Sequence, residues 1–339
     1  MSDSPETSAE PGQRVPLSEA QALALGEAAM QRIGYGPEQA RTIAAVLVDA
    51  ELCGYPALGL ARILTVDEHP RNRNPRTPLR MIHETPVSAM IDGGNNVGFY
   101  TVHRATEIAI EKARSGHFAL VGVHNSWLSG RNAYYLEMIA RAGFAGIHLA
   151  CGRPVVAPPG GRAPAFGTNP IAFGLPGEPH PFIFDMATSA LNHGDVILAA
   201  RLQQQLPEGA AIDSDGHPTR DPLAALGGAI LPFGGHKGYG LSLTIQALGL
   251  MAGAALPSGE VQDFAFLFVV FDPALLMPPT QYKQQLAELL RRVAATPLQP
   301  GATAMRIPSQ RAFEERERRR VEGITLEQRI YDRILAVKS

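Results

Sequence analysis

Cysteine is almost missing: only Cys53 and Cys151 occur in 339 residues, and neither lies in a C-x-x-C. That excludes a disulfide framework and a thiolate metal site, and it suits a reducing compartment. No apolar run reaches the ~18 residues of a membrane span. The opening MSDSPETSAEPGQRV is polar and acidic and unlike a signal peptide, so residues 1–15 read as a disordered leader and a cytoplasmic location is expected. An excess of one charge is lacking too: Lys plus Arg is 30, Asp plus Glu is 32, and the net charge is −2. Nothing global draws such a chain to nucleic acid or to an anionic membrane. Several chemical signatures are absent as well. There is no G-x-G-x-x-G between a strand and a helix, no Walker A sequence, no H-E-x-x-H or close histidine pair, and no G-x-S-x-G elbow. The doubly wound dinucleotide fold, the P-loop, a zinc centre and the commonest serine hydrolase therefore drop out.

What is present is the composition of a folded protein, 45% hydrophobic against 18% charged. The length suits one enzyme-sized unit with two lobes. Gly (34) and Pro (28) are plentiful, which implies many tight turns and backbone approached closely by a ligand. Near the start, Ser18 followed by Gln21 has the order of a capping box, and Pro37 and Gly54 bracket a second helical stretch. The run MIHETPVSAMIDGGNNVGFY reads as strand and turn, and TVHRATEIAIEKARSG as a helix closed by Gly116. From Phe118 to Phe184 apolar runs alternate with turns, which predicts a sheet with one helix around Ala133 to Ala142. DVILAARLQQ is helical, a Gly-rich turn at PFGGHKGYG opens an apolar helix, FAFLFVVF is a buried strand ended by Pro273, and the tail from Thr280 is helical with the charge run EERERRR.

Chemistry can sit at four clusters of small, polar and turn-forming residues: Ala157 to Gly161, Gly167-Thr168-Asn169-Pro170, Asp185 to Ser189, and His193-Gly194-Asp195. A fifth, Phe233 to Gly240, is a candidate phosphate cradle, where glycines free backbone N–H groups at a helix start and Lys237 adds a charge. Each is equally readable as a plain turn. Taken in order, however, APPGG, GTNPIAFGLP, DMATS, LPEG, DSDGHPTRDP and LPFGGHKGYGLSL resemble segments of the lactate/malate dehydrogenase type family of NAD(P)-dependent oxidoreductases, the one without a Rossmann fold. The resemblance runs from Leu17 to about Leu335, and IPSQRAFEERE is similar to the branch of Δ1-piperideine-2-carboxylate and Δ1-pyrroline-2-carboxylate reductases.

The resemblance implies an α/β fold with a mixed, largely antiparallel cofactor-binding sheet and a helical domain. Residues 16–117 would form the helical, substrate-binding part, with 280–339 returning to it, and 118–279 the NAD(P)-binding part. A homodimer with its active site near the subunit interface is expected. Cofactor contacts fall on Ser126, Leu128, Thr168, Asn169, Asp185, Met186, Ala187, His236 and Lys237, with Arg311 near the 2′-phosphate of NADPH, the cofactor preferred over NADH. Arg62 would hold a substrate carboxylate in its guanidinium fork, His193 would form another wall, and Asp195 would support a proton relay. Two positions depart from the family pattern. Ala57 and Leu58 stand where it writes Ser-His, and Leu128 where it writes a second histidine. Leucine moves no proton, and a positioned acid or base contributes about 10²- to 10⁴-fold to rate. Oxidation of a hydroxy acid needs such a base, whereas a cyclic imine can arrive protonated. The expected function is therefore NAD(P)H-dependent reduction of a small carboxylate-bearing imine or 2-oxo acid, with the imine preferred and Tyr55, His193 and His236 as replacement acids. The alternative is a pseudoenzyme that keeps dinucleotide binding and dimerisation as a binding or regulatory subunit.

Overall fold

A computed structural model describes residues 13–254 and 264–337. In chain order the elements are β1 (Arg14–Leu17), α1 (Glu19–Arg32), α2 (Pro37–Leu52), α3 (Arg62–Glu68), β2 (Arg80–Thr85), β3 (Ser88–Val97), α4 (Gly98–Gly116), β4 (Phe118–Trp127), α5 (Asn132–Arg141), β5 (Ala145–Cys151), β6 (Ile171–Leu175) and β7 (Phe182–Met186). There follow α6 (His193–Leu202), β8 (Ala211–Ile212), α7 (Pro222–Gly227), β9 (Ala229–Ile230), α8 (His236–Met251), β10 (Phe264–Phe271), α9 (Pro279–Ala294), α10 (Gln310–Glu322), β11 (Ile324–Glu327) and α11 (Gln328–Leu335).

The fold is α/β around a seven-stranded sheet in the order β2-β3-β4-β10-β5-β6-β7. Only β3 and β4 are parallel, joined by α4 as the crossover helix that a parallel pair needs; the other neighbours are antiparallel. β10 sits between β4 and β5, and its run of Phe and Val is apolar at every position because the central strand of this sheet is covered on both faces. One core unites both parts of the chain: Ile43, Leu47 and Ile63 from the early helices share it with Val121, Phe266 and Phe268 from the sheet.

Local signals account for the ends of the first two helices. Ser18 accepts from the Gln21 N–H while the Gln21 side chain accepts from the Ser18 N–H, as the capping box requires. Pro37 is at the first turn of α2, and Gly54 follows the end with φ +81°. Three expectations need correction. The leader does not extend to residue 15, because Arg14 and Val15 already belong to β1, which pairs antiparallel with β11 from the other end of the chain; residues 1–12 lie outside the described part. The sheet also begins before residue 118: β2 and β3 form a hairpin inside the expected helical segment and join the sheet through the parallel β3–β4 ladder. Helix α4 is closed not by Gly116 but by His117 in the left-handed region, where its N–H bonds back to the carbonyl of Ala113.

A buried ionic cluster holds α2, α5 and α10 together. The Arg316 Nη1 and Nη2 each donate to Glu137 at 2.7 Å, Arg316 Nε lies 3.0 Å from Asp49, and Arg131 bridges Asp49 and Glu137 at 2.9 and 3.1 Å. The two arginines hold the Glu137 carboxyl below the usual carboxylate range despite its burial. Removing one member leaves buried charge without a partner, so Glu137→Gln is expected to lower the unfolding free energy in urea by about 3 kcal/mol. Arg14→Gln, in the exposed pair with Glu327, should change it little in the same measurement.

Candidate active site

One cavity of about 390 Å³ gathers most of the residues singled out from the sequence. Leu58, Arg62, Leu128, Thr168, Asn169, Asp185, Met186, Ala187, His193 and Asp195 all line it. They come from distant parts of the chain, and the fold brings them together by hydrogen bonds between the motif segments. Thr188 Oγ1 donates to the carbonyls of Thr168 and Asn169 at 3.0 and 3.1 Å. The Asn169 amide donates to the Ser242 carbonyl on α8 at 3.0 Å and to Gln246 Oε1 at 3.2 Å. The Phe233 N–H donates to the Thr188 carbonyl at 3.0 Å, which sets the start of α8 beside the same wall.

Arg62 opens α3 and is buried. Burial lowers its pKa to about 10, with Asp195 acting in the opposite direction and Arg201 in the same one, so it stays charged at neutral pH. Gly194 is packed against it: a Cβ there would lie 2.2 Å from Arg62 Nη2. Among the described residues Arg62 has no hydrogen-bond acceptor and no ion-pair partner. Asp195 is committed elsewhere, its Oδ2 accepting from the Asn192 N–H at 3.2 Å and the Asn192 amide at 3.0 Å in the capping box of α6. Asp185 caps α5, with Oδ2 accepting from the Ala133 N–H at 2.8 Å, and burial pushes its carboxyl up.

The expected family histidine positions are apolar, yet the cavity has two imidazoles. His193 lies on α6, and burial together with Arg153 and Arg62 lowers its pKa to about 3. His69, at the C-terminal cap of α3, was not anticipated from the sequence; burial, Arg153 and Arg71 lower its pKa to about 4. Arg62, Thr65 and His69 share one helical face at spacings of three and seven, a pattern readable in the sequence only once Arg62 is known to face a ligand. Arg153 lines the cavity too and is exposed. Trp127 is fully buried beneath the cavity, its Nε1–H donating to the Asn95 carbonyl at 3.1 Å.

Other expected residues lie off the cavity wall. Ser126 is fully buried, with Oγ donating to the Asn96 carbonyl at 2.7 Å and paired with Thr101 Oγ1 at 2.6 Å. Ala57 is buried behind Leu58, its carbonyl facing Gly194. Tyr55 lies under the guanidinium groups of Arg131 and Arg311, at 5.7 and 5.0 Å, which accounts for Arg311 as well. His236 and Lys237 are exposed at the first turn of α8, after Gly234 and Gly235 at φ +54° and +61°.

Whether a nicotinamide dinucleotide suits these residues can be judged from unmet hydrogen bonds. Asn132 and Asn169 each have a side-chain oxygen buried without a partner in the cavity wall. A carboxamide N–H₂ is the kind of donor they lack. The exposed first turn of α8, with the ammonium of Lys237 and the positive end of the helix, suits a pyrophosphate. The residues present fit the group.

Residues 17–335 match the family described as malate/L-lactate dehydrogenase. An L-sulfolactate dehydrogenase of Methanothermobacter thermautotrophicus is 37% identical over 313 residues, covering 89% of this chain and 90% of that protein. A Δ1-pyrroline-2-carboxylate reductase of Ancylobacter novellus is 32% identical, covering 95% of this chain and 97% of that one. A solved dehydrogenase structure from Sinorhizobium meliloti superimposes with a TM-score of 0.87 at 31% identity, covering 97% and 99% of the two chains.

Both cavity imidazoles have pKa values of about 4 and 3, below the ordinary value near 6.5, so each is neutral at pH 7. A depressed histidine favours the folded state above its unfolded value, and that contribution is lost as pH falls from about 6.5 toward 4. In spectra of ¹⁵N-histidine-labelled protein, His69 and His193 are expected to remain neutral at pH 5.5. A midpoint near 6.5 for either would contradict the burial argument.

Proposed function

The chain belongs to the malate/L-lactate dehydrogenase family, and on that premise we propose that it is an NAD(P)H-dependent reductase of a small carboxylate-bearing 2-oxo acid or cyclic imine. The observation that carries the reading is Arg62: a buried, charged guanidinium that faces the cavity with no salt bridge among the described residues, the nearby Asp195 being hydrogen-bonded to Asn192 instead. Burying an unpaired charge is costly, and a ligand carboxylate is the planar, bidentate partner that this group is shaped to take.

When bound, the dihydronicotinamide would supply hydride. The chain's own residues bind and orient the reactants, and the proton that completes reduction of a 2-oxo acid is taken from solvent. Arg62 orients the substrate by its carboxylate, and Gly194 leaves room for the guanidinium to do so. Leu58, Leu128 and Phe266 on the cavity wall keep water from the reacting carbon. Asn132 and Asn169 accept from the carboxamide, while Lys237 and the first turn of α8 meet the phosphates. The preference for an imine rested on leucine at positions 58 and 128; with His69 joining His193 on the cavity wall, the 2-oxo acid stands level. NADPH over NADH rests on Arg311 alone, which is engaged with Tyr55. A homodimer belongs to the same proposal, supported by the exposed apolar side chains Leu243, Leu250 and Met251 on α8. The buried free thiols of Cys53 and Cys151 suit a reducing cytoplasm.

Nicotinamide fluorescence titration is expected to give micromolar binding of NADPH or NADH, the range usual for such cofactors. Absence of binding of either at millimolar concentration would overturn the reading, and turnover on any 2-oxo acid or cyclic imine would remove the binding-only alternative. Arg62→Met is expected to raise KM for a carboxylated substrate about 10- to 100-fold, because a charged hydrogen bond is worth about 1.5–3 kcal/mol, while cofactor affinity is unchanged. Equal loss of both in a folded variant would make Arg62 structural.

A further inference from the structure

We propose that His69 donates a hydrogen bond from Nε2 to the substrate atom that gains electron density on reduction, and so selects substrates whose reacting atom offers a free lone pair. A carbonyl oxygen or an uncharged imine nitrogen qualifies; an iminium N–H does not. The proposal rests on the reductase reading and on three features of His69.

The first is position. Arg62, Thr65 and His69 line the cavity along one face of α3, so a carboxylate on Arg62 places the neighbouring carbon in the space that His69 borders. The second is a fixed ring. His69 stacks on Trp127 with centroids 4.4 Å apart and planes 15° from parallel, and Trp127 is itself buried and held by the Asn95 carbonyl. The third is a fixed tautomer. His69 Nδ1 accepts from the backbone N–H of Arg71 at 3.2 Å. An amide does not give up its proton at neutral pH, so Nδ1 must carry none, and the hydrogen is on Nε2. Among the described residues Nε2 has no hydrogen-bond partner.

A neutral imidazole N–H held in place beside an unpaired guanidinium is a preorganised donor for an oxygen that develops negative charge. It works without changing its own charge across the neutral range, as a depressed histidine pKa requires. Facing an iminium it sets donor against donor, which is repulsive. The apolar replacements Leu58 and Leu128 therefore do not leave the cavity without a polarising group; that group comes from the other end of α3. His193, the other cavity imidazole, has no hydrogen bond among the described residues to fix its tautomer.

The test compares the wild-type protein with His69→Phe, which keeps the stacking surface and removes the donor, and His69→Gln, which keeps a donor. With ¹⁵N-histidine labelling and NADPH present, oxamate is expected to shift the Nε2 resonance of His69. The ratio of kcat/KM on pyruvate to that on protonated Δ1-piperideine-2-carboxylate is expected to fall about 10²-fold in His69→Phe and to recover in part in His69→Gln. An oxamate-induced shift confined to His193, or none, would overturn the proposal, and so would an unchanged ratio in a folded His69→Phe. If the wild type reduces neither substrate, the reductase reading fails, while the oxamate shift still decides whether His69 meets the ligand.

Discussion

The cavity depends on the buried ionic cluster of Arg131 and Arg316 with Asp49 and Glu137, because that cluster sets the distance between two of its walls. Asp49 lies on α2, which leads through the turn 56–58 into α3 and so carries Leu58 and Arg62. Arg131 is the N-cap of α5, and the residues on either side of it, Leu128 to Gly130 and Asn132, form the opposite wall. Arg316 reaches in from α10 and closes the cluster with two bonds to Glu137. Burying such a network contributes little net stability against a well-packed apolar alternative, since desolvation consumes most of the Coulombic gain. Its value is geometric: each guanidinium fork admits few arrangements of its carboxylates, so the helices cannot slide without breaking charged hydrogen bonds.

Against that background Arg62 stands apart. The arginines of the cluster are matched to carboxylates within 3.5 Å, whereas the Arg62 guanidinium, also buried, feels Asp195 only at a distance and makes no salt bridge among the described residues. A buried guanidinium without a salt bridge is suited to an anionic ligand that approaches it from the cavity. The orphaned oxygens of Asn132 and Asn169 repeat the pattern with the opposite polarity, acceptors waiting for a donor. Unmet charge and unmet hydrogen bonds in one cavity define what the ligand must supply: a carboxylate at one end and a carboxamide at another.

Much of this was legible in the residues. The helix starts at Ser18 and Pro37 carry their signals within four positions, and the GTNP, DMATS and GGHKG segments are dense in small and polar residues because backbone must come close to backbone there. What escaped was long-range. β1 and β11 are four-residue strands, too short for the alternation of Ile324 to Glu327 to stand out until the other end of the chain pairs with it. β2 and β3 sit among helices in sequence but join the sheet through a parallel ladder, which no local pattern announces. Ser126 looks like a cavity residue by its place next to Leu128, yet both it and Trp127 are turned into the core, held there by the hydrogen bonds of Ser126 to Asn96 and Thr101. His69 stands at the edge of a Pro- and Arg-rich loop that reads as surface, and only the stack on Trp127 shows that it turns inward.

The central claim is that the unpaired Arg62 is the carboxylate anchor of a nicotinamide-dependent site. A crystal structure of the protein with NADPH and oxamate tests it directly. The account predicts the oxamate carboxylate within hydrogen-bond distance of both terminal nitrogens of Arg62, with the nicotinamide carboxamide against Asn132 or Asn169. Oxamate bound elsewhere, or a cofactor lying across Arg62 and leaving no room for an acid, would contradict it.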